Sequence, residues 1–284
     1  MESRRISALV CAAVMIAAGA NRTSASTITQ WSFDAGGTVS APDNSPTPTT
    51  GSGVATILGM TNTYNGGNTA SADVLSTSGT ANTGFTEFTW RIRGAQTPTG
   101  NNGWATHAAG APQYSQGIEL DASTLGHQNI KFSFDWYSTT QGIRDLQFQY
   151  NTNTANSAGW TNFGGTSPKG TYIAVSNDWY NAPGTNTPMI TVDLSSITGA
   201  NNDANFGIRL VSAFDSTGNV PNDFASAKLN GTATQIYNNN SGNWRFDNLT
   251  FSGDSLTATP EPATMLLMLV GIGGGLVYRK RIFR

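Results

Sequence analysis

Cysteine is all but missing: Cys11 is the only one in 284 residues. It lies in an apolar run near the N-terminus, so the rest of the chain has no thiol for a disulfide or a Cys-based zinc site. Charged side chains are scarce at 11%. The two histidines, His107 and His127, lie 20 residues apart with no local ligand pattern. Neither G-x-S-x-G nor H-E-x-x-H occurs, which removes the serine-hydrolase elbow and the zincin helix. Against these shortages stand 38 Thr, 27 Asn, 32 Gly and 11 Pro. Thr and Asn compete with the helical ladder through their own side chains. An α-helical bundle is therefore excluded, and an α/β enzyme is disfavoured. Thirteen Phe, eight Tyr and seven Trp supply a core and exclude wholesale disorder.

The two ends speak of export. Residues 1–25 carry Arg4 and Arg5, an apolar run Ile6 to Ala20 and then small residues, the three-part layout of a signal peptide. Cleavage by signal peptidase fits after Ala25, which we favour, and also after Ala20. At the other end Pro260, Glu261 and Pro262 precede sixteen uncharged residues, 263–278, and then Arg279, Lys280, Arg281 and Arg284. Sixteen helical residues reach about 24 Å, short of a hydrocarbon core of about 30 Å, so the expected transmembrane helix is a marginal one. The basic tail stays cytoplasmic by the positive-inside rule, which leaves the body outside the inner membrane.

A Pro-Glu-Pro triplet, a short Gly-containing apolar segment and an Arg-rich terminus, behind a signal-bearing chain, resemble the PEP-CTERM protein-sorting signal. Pro260, Glu261 and Pro262 match the triplet; Thr259 stands where Val is commonest. The resemblance implies an exosortase as processing partner, a transient stay in the inner membrane, and a final place at the cell surface or outside the cell. The bacteria concerned are Gram-negative and make extracellular polysaccharide or biofilm. The expected organisation is a signal peptide at 1–25, an ectodomain at 26–256 and the sorting signal at 257–284.

Between the ends, residues 26–258 hold eight basic and fifteen acidic side chains, net −7. Nucleic acid, which needs a basic footprint, is not the partner. Apolar residues recur with period 2: Phe132, Phe134 and Trp136; Leu146, Phe148 and Tyr150; Phe206, Ile208 and Leu210. Further strands are expected at 28–33, 54–60, 85–93, 117–121, 172–175, 189–194 and 244–252, with one possible helical turn at 195–198. About ten strands between Gly, Asn and Thr turns point to an all-β fold, a jelly-roll-like antiparallel β-sandwich. Trp244 and Phe246 differ in parity from Leu249 and Phe251, which predicts a bulge at Asp247–Asn248. Residues 117–253 also resemble a jelly-roll domain found in many PEP-CTERM proteins, a likeness that implies architecture rather than activity.

Two readings of function follow. Trp160, Trp179 and Tyr180 lie in Gly- and Asn-rich surroundings outside clean alternating strands, as does Trp104. Exposed rings stack on sugars while Asn and Thr bond hydroxyls, so the first three are the candidate carbohydrate-binding residues of a non-enzymatic, adhesive or polysaccharide-associated protein. The alternative is a glycoside hydrolase using Glu119 and Asp121, because Gly117 to Thr124 begins like the catalytic strand of laminarinase-type enzymes. Ser123 and Thr124 occupy the places of the second Glu that retaining hydrolysis needs. No cofactor is expected beyond a structural calcium, for which Asp34 and Asp247 are candidate ligands if the first and last strands pair.

Overall fold

The computed structural model describes residues 25–33, 46–59, 74–75, 81–82, 89–92, 104, 112–164, 171–174, 178–180, 189–214 and 242–256. In chain order the strands are β1 (Ser26–Trp31), β2 (Gly53–Leu58), β3 (Val74–Leu75), β4 (Ala81–Asn82), β5 (Trp90–Ile92), β6 (Gly117–Ala122) and β7 (His127–Ser138). There follow β8 (Asp145–Asn151), β9 (Thr161–Asn162), β10 (Tyr172–Ile173), β11 (Asp178–Trp179), β12 (Ile190–Asp193), β13 (Phe206–Ala213) and β14 (Trp244–Ser255). A single 3-10 turn at Thr198–Ala200 is the helical feature among the described residues, just after the position read from the sequence.

Two antiparallel sheets form the sandwich. The first runs β1-β14-β7-β11, with β5 sharing the edge of β14 and β12 that of β7. The second runs β10-β8-β13-β6-β2, with β9 on the same edge of β8 as β10. A separate two-stranded ribbon joins β3 and β4. The chain changes sheet at almost every long connection, so neither sheet has its apolar face without the other. The all-β, jelly-roll-like fold expected from the alternation is the fold found.

The period-2 residues meet in the gap between the sheets. Phe132, Phe134 and Trp136 of β7 are fully buried, as are Leu146 and Phe148 of β8 and Phe206, Ile208 and Leu210 of β13. Aromatic rings dominate the contact: Phe132 lies 4.8 Å from Phe251, and Trp244 sits between Trp104 at 4.5 Å and Trp136 at 5.3 Å. Trp104 is thus a core plug, 1% exposed. Two of the buried indoles have acceptors: Trp244 Nε1 donates to the Ile143 carbonyl at 2.7 Å and Trp31 Nε1 to that of Pro46 at 2.9 Å, whereas Trp104 Nε1 and Trp136 Nε1 have none among the described residues.

The expected bulge is present. Along β14 the buried positions pass from Trp244 and Phe246 to Leu249 and Phe251, and the change of phase falls at Asp247–Asn248. Asn248 has φ +51°, a left-handed conformation that Asn tolerates better than most residues. The compact unit containing the sandwich extends from Ser24 to Asp254. The expected signal peptide and the segment 263–278 fall outside the described residues, apart from Ala25. Among the described residues no helix is long and apolar enough to cross a membrane.

Candidate functional site

The outer face of the second sheet collects the chemistry. Strand register places Thr56, Glu119, Arg209, Gln149 and Asn162 in one row across β2, β6, β13, β8 and β9. The row beside it runs Val54, Asp121, Gly207 and Asn151. Inward-facing Ile118 and Leu120 anchor β6 in the core, so Glu119 and Asp121 share the outer face, as the two-residue period requires.

Glu119 is engaged. Arg209, directly opposite on β13, donates to Glu119 Oε2 from Nη2 at 2.6 Å and from Nε at 2.7 Å. The other side of that guanidinium is covered: its carbon lies 4.0 Å from the ring centre of Trp160, a cation–π contact. Trp160 enters the turn before β9 and is half-buried there. Asp121 has no ion-pair partner among the described residues. Burial first, then the Glu119 charge, push its carboxyl up to about 6 against the opposing effect of Arg209. Its Oδ1 is shut off from solvent and has no hydrogen-bond partner among the described residues.

Gly207 makes room for this carboxylate, because a Cβ there would collide with Asp121 Oδ1. Beside Asp121 opens a shallow cleft of about 420 Å³, rimmed by Ser52, Val54, Thr154 and Asn205. That size lies within the ~300–1,000 Å³ range of small-molecule sites. The third carboxylate of a hydrolase strand is absent from its two expected places. Thr124 instead ties the turn, its hydroxyl donating to the Ala200 carbonyl at 2.7 Å and accepting from the Asp203 N–H at 2.9 Å.

The three candidate rings do not form one platform. Trp160 belongs to the outer face just described. Tyr180 caps the edge between the sheets, 6.0 Å from Trp136 and 5.4 Å from Tyr172; burial pushes its phenol pKa up. The backbone of Trp179 pairs with Tyr137, while its side chain is outside the described set. Arg209, Gly207 and the cleft were not singled out in the sequence. The strand Phe206 to Leu210 carried the signal, since its outward positions face those of β6 once the two strands pair.

For calcium, β1 and β14 do pair, with Trp31 opposite Leu249. Asp247 is buried, and its Oδ1 accepts from the Asn248 N–H at 2.7 Å. Asp34 falls outside the described residues. No group of three or more His, Cys, Asp or Glu able to hold a metal occurs among the described residues.

Comparison with known families finds the PEP-CTERM protein-sorting motif at residues 258–281. The match takes in Pro260, Glu261, Pro262, Arg279, Lys280 and Arg281, all outside the described residues. No curated protein matches the chain.

Proposed function

We propose that this chain, a PEP-CTERM protein exported and sorted by an exosortase, works at the cell surface or in the extracellular matrix as a non-enzymatic, polysaccharide-associated adhesive domain. The proposal includes the route: a signal peptide at 1–25 removed by signal peptidase, a transient inner-membrane stage held by residues 263–278, and release by the exosortase. One observation carries the binding part. On an exported domain, the outer face of the second sheet offers an open cleft with a carboxylate floor at Asp121, polar rims at Ser52, Thr154 and Asn205, and the Trp160–Arg209 stack on the adjoining row. Such a mixture of apolar wall and a few directed polar groups is what sugar rings require.

The non-enzymatic part is supported by Glu119. Both short contacts from Arg209 fall on one of its oxygens, and Ser123 and Thr124 supply no acid opposite it. Retaining hydrolysis needs two free carboxyl groups about 5–5.5 Å apart. The test is affinity electrophoresis of the protein through gels containing glucans, galactans, glucosamine polymers and uronans, with reducing-sugar release measured in parallel. Retardation without release is expected. Absence of retardation in every gel overturns the binding reading, and sugar release abolished by Glu119→Gln overturns the non-enzymatic one.

A further inference from the structure

Charge balance on the outer face of the second sheet narrows the ligand class. Glu119 and Arg209 neutralise one another at 2.6 Å, and Trp160 covers the guanidinium. Asp121, on the same face, has no ion-pair partner among the described residues and keeps one oxygen buried without a hydrogen-bond donor. It lines the cleft. The polar groups that share this rim, Ser52, Ser123, Thr154 and Asn205, are uncharged.

A neutral sugar would give Asp121 hydroxyl donors and leave its charge uncompensated. An acidic sugar would add a second negative charge beside it. A cation supplies the missing charge and donates to the carboxylate from the cleft side, Oδ1 staying shut off from solvent, and charge-assisted hydrogen bonds are about twice as strong as neutral ones. The net −7 of residues 26–258 also draws a polycation toward the domain over distances of the Debye length, about 10 Å at 0.1 M salt.

We propose that the cleft at Asp121 binds an amino-sugar residue bearing a free ammonium group, with the Asp121 carboxylate as its counter-ion and Ser52, Thr154 and Asn205 facing its hydroxyls. The assignment rests on the polysaccharide reading above and names the site and the sugar class. Gly207 is part of the site because a side chain there would displace the carboxylate.

Acidity supplies a second handle. The groups facing Asp121 are Glu119 on β6, Arg209 on β13, and the uncharged Val54, Asn151, Thr154 and Asn205. With the carboxyl raised to about 6, lowering the pH from 6 to 4 neutralises it, whereas the sugar amine is already largely protonated at the start of that interval. Binding therefore weakens in acid, although the ligand keeps its charge.

The experiment is calorimetric titration of the full chain in detergent micelles with a β-1,4-linked glucosamine hexamer and with its fully N-acetylated counterpart. The free-amine hexamer should bind at least tenfold more tightly. Asp121→Asn should cut its affinity at least tenfold and abolish the loss between pH 6 and pH 4. Thr154→Trp, which fills the cleft from its rim, should do the same to affinity if Asp121→Asn fails to fold. Equal affinity for the two hexamers, or an affinity that rises between pH 6 and pH 4, overturns the proposal. Retardation of the wild type by some polysaccharide that Asp121→Asn leaves unchanged overturns this site while polysaccharide association stands. Retardation by none overturns both.

Discussion

Asn248 Nδ2 donates to Asp135 Oδ2 at 2.9 Å, so the residue that makes the bulge in β14 also holds the buried carboxyl of β7. Two requirements fall on one side chain: a left-handed backbone and an amide donor. Asn248→Ala should lose both and destabilise the domain by about 3–4 kcal/mol, while Asn248→Gly keeps the backbone and loses about 2 kcal/mol. Urea unfolding of the two variants separates the contributions.

Asp135 itself predicts a pH dependence. It is 2% exposed, and burial pushes its carboxyl from 3.8 up to about 6, with the Asn248 hydrogen bond opposing. The folded state therefore holds its proton more tightly than the unfolded state between pH 3.8 and about 6. By linkage, stability falls as pH rises through that window and then levels off, by at most about 3 kcal/mol from this group. Asp135→Asn should be more stable than wild type at pH 8 and should flatten the profile. The same slope in both proteins, measured by urea unfolding from pH 4 to pH 8, would contradict the assignment.

Arg209 joins two outer-face groups, Glu119 and Trp160, so its replacement separates charge from shape. Arg209→Lys keeps the charge but loses the fork and the flat contact with Trp160. We expect Arg209→Lys and Arg209→Met to cost about 1–2 kcal/mol each. A double-mutant cycle with Glu119→Gln should return a coupling of roughly 1 kcal/mol, the magnitude of a partly exposed pair. A coupling of zero would show that the 2.6 Å contact adds nothing to stability.

Much of the fold was legible because apolar alternation is strong where strands are long. Phe132, Phe134 and Trp136 announced β7, and the parity break announced the bulge. The two-residue strands β9 and β11 are too short for any period to appear, and pairing with long neighbours creates them. Gln147, Gln149 and Asn151 alternate with the core-facing residues of β8, yet all three are buried, because the chain after β8 folds back over them. Gln147 Nε2 donates to Thr171 Oγ1 at 2.8 Å, Gln149 Nε2 to Asn162 Oδ1 at 2.8 Å, and Asn151 Nδ2 to the Asn156 carbonyl at 2.9 Å. The same fold-back places Trp160 on Arg209, a contact between residues 49 apart that no local pattern encodes. Glu119 and Asp121 could be put on one face from β6 alone. Their different fates depend on β13, whose register determines that Arg209 meets one and Gly207 the other.

The core offers a direct stability test. Trp136 is fully buried, with Trp244 edge-on at 5.3 Å and Tyr180 at 6.0 Å. Trp136→Ala removes the largest side chain of β7 from a packed aromatic group and should cost about 3–5 kcal/mol. Calorimetry should show a melting point many degrees lower; a shift of a degree or two would contradict the packing described.

Sorting is tested at the C-terminus. Glu261→Ala within the matched motif should block processing and leave the chain with its C-terminal segment attached in the membrane fraction. Mass spectrometry of the wild-type surface protein should find the residues after about Pro262 missing. Recovery of Arg284 from the outer surface would argue against processing at this motif.

On the export route proposed above, the pairing of β1 with β14 would set a timetable. Ser26 lies opposite Gly253 and Trp31 opposite Leu249, so the first strand to leave the translocation channel waits for the last. β14 also pairs with β5 and lies beside β7, which makes it the hub of its sheet. A chain threaded N-terminus first therefore emerges with its main seam open, and Trp31 and Phe132 lack their Phe251 neighbour until residue 251 arrives. The sorting motif begins at residue 258, a few residues after β14 ends. On that route, emergence of the sorting motif follows closure of the sandwich by only a few residues, and a chain truncated before β14 lacks the strand that completes its core.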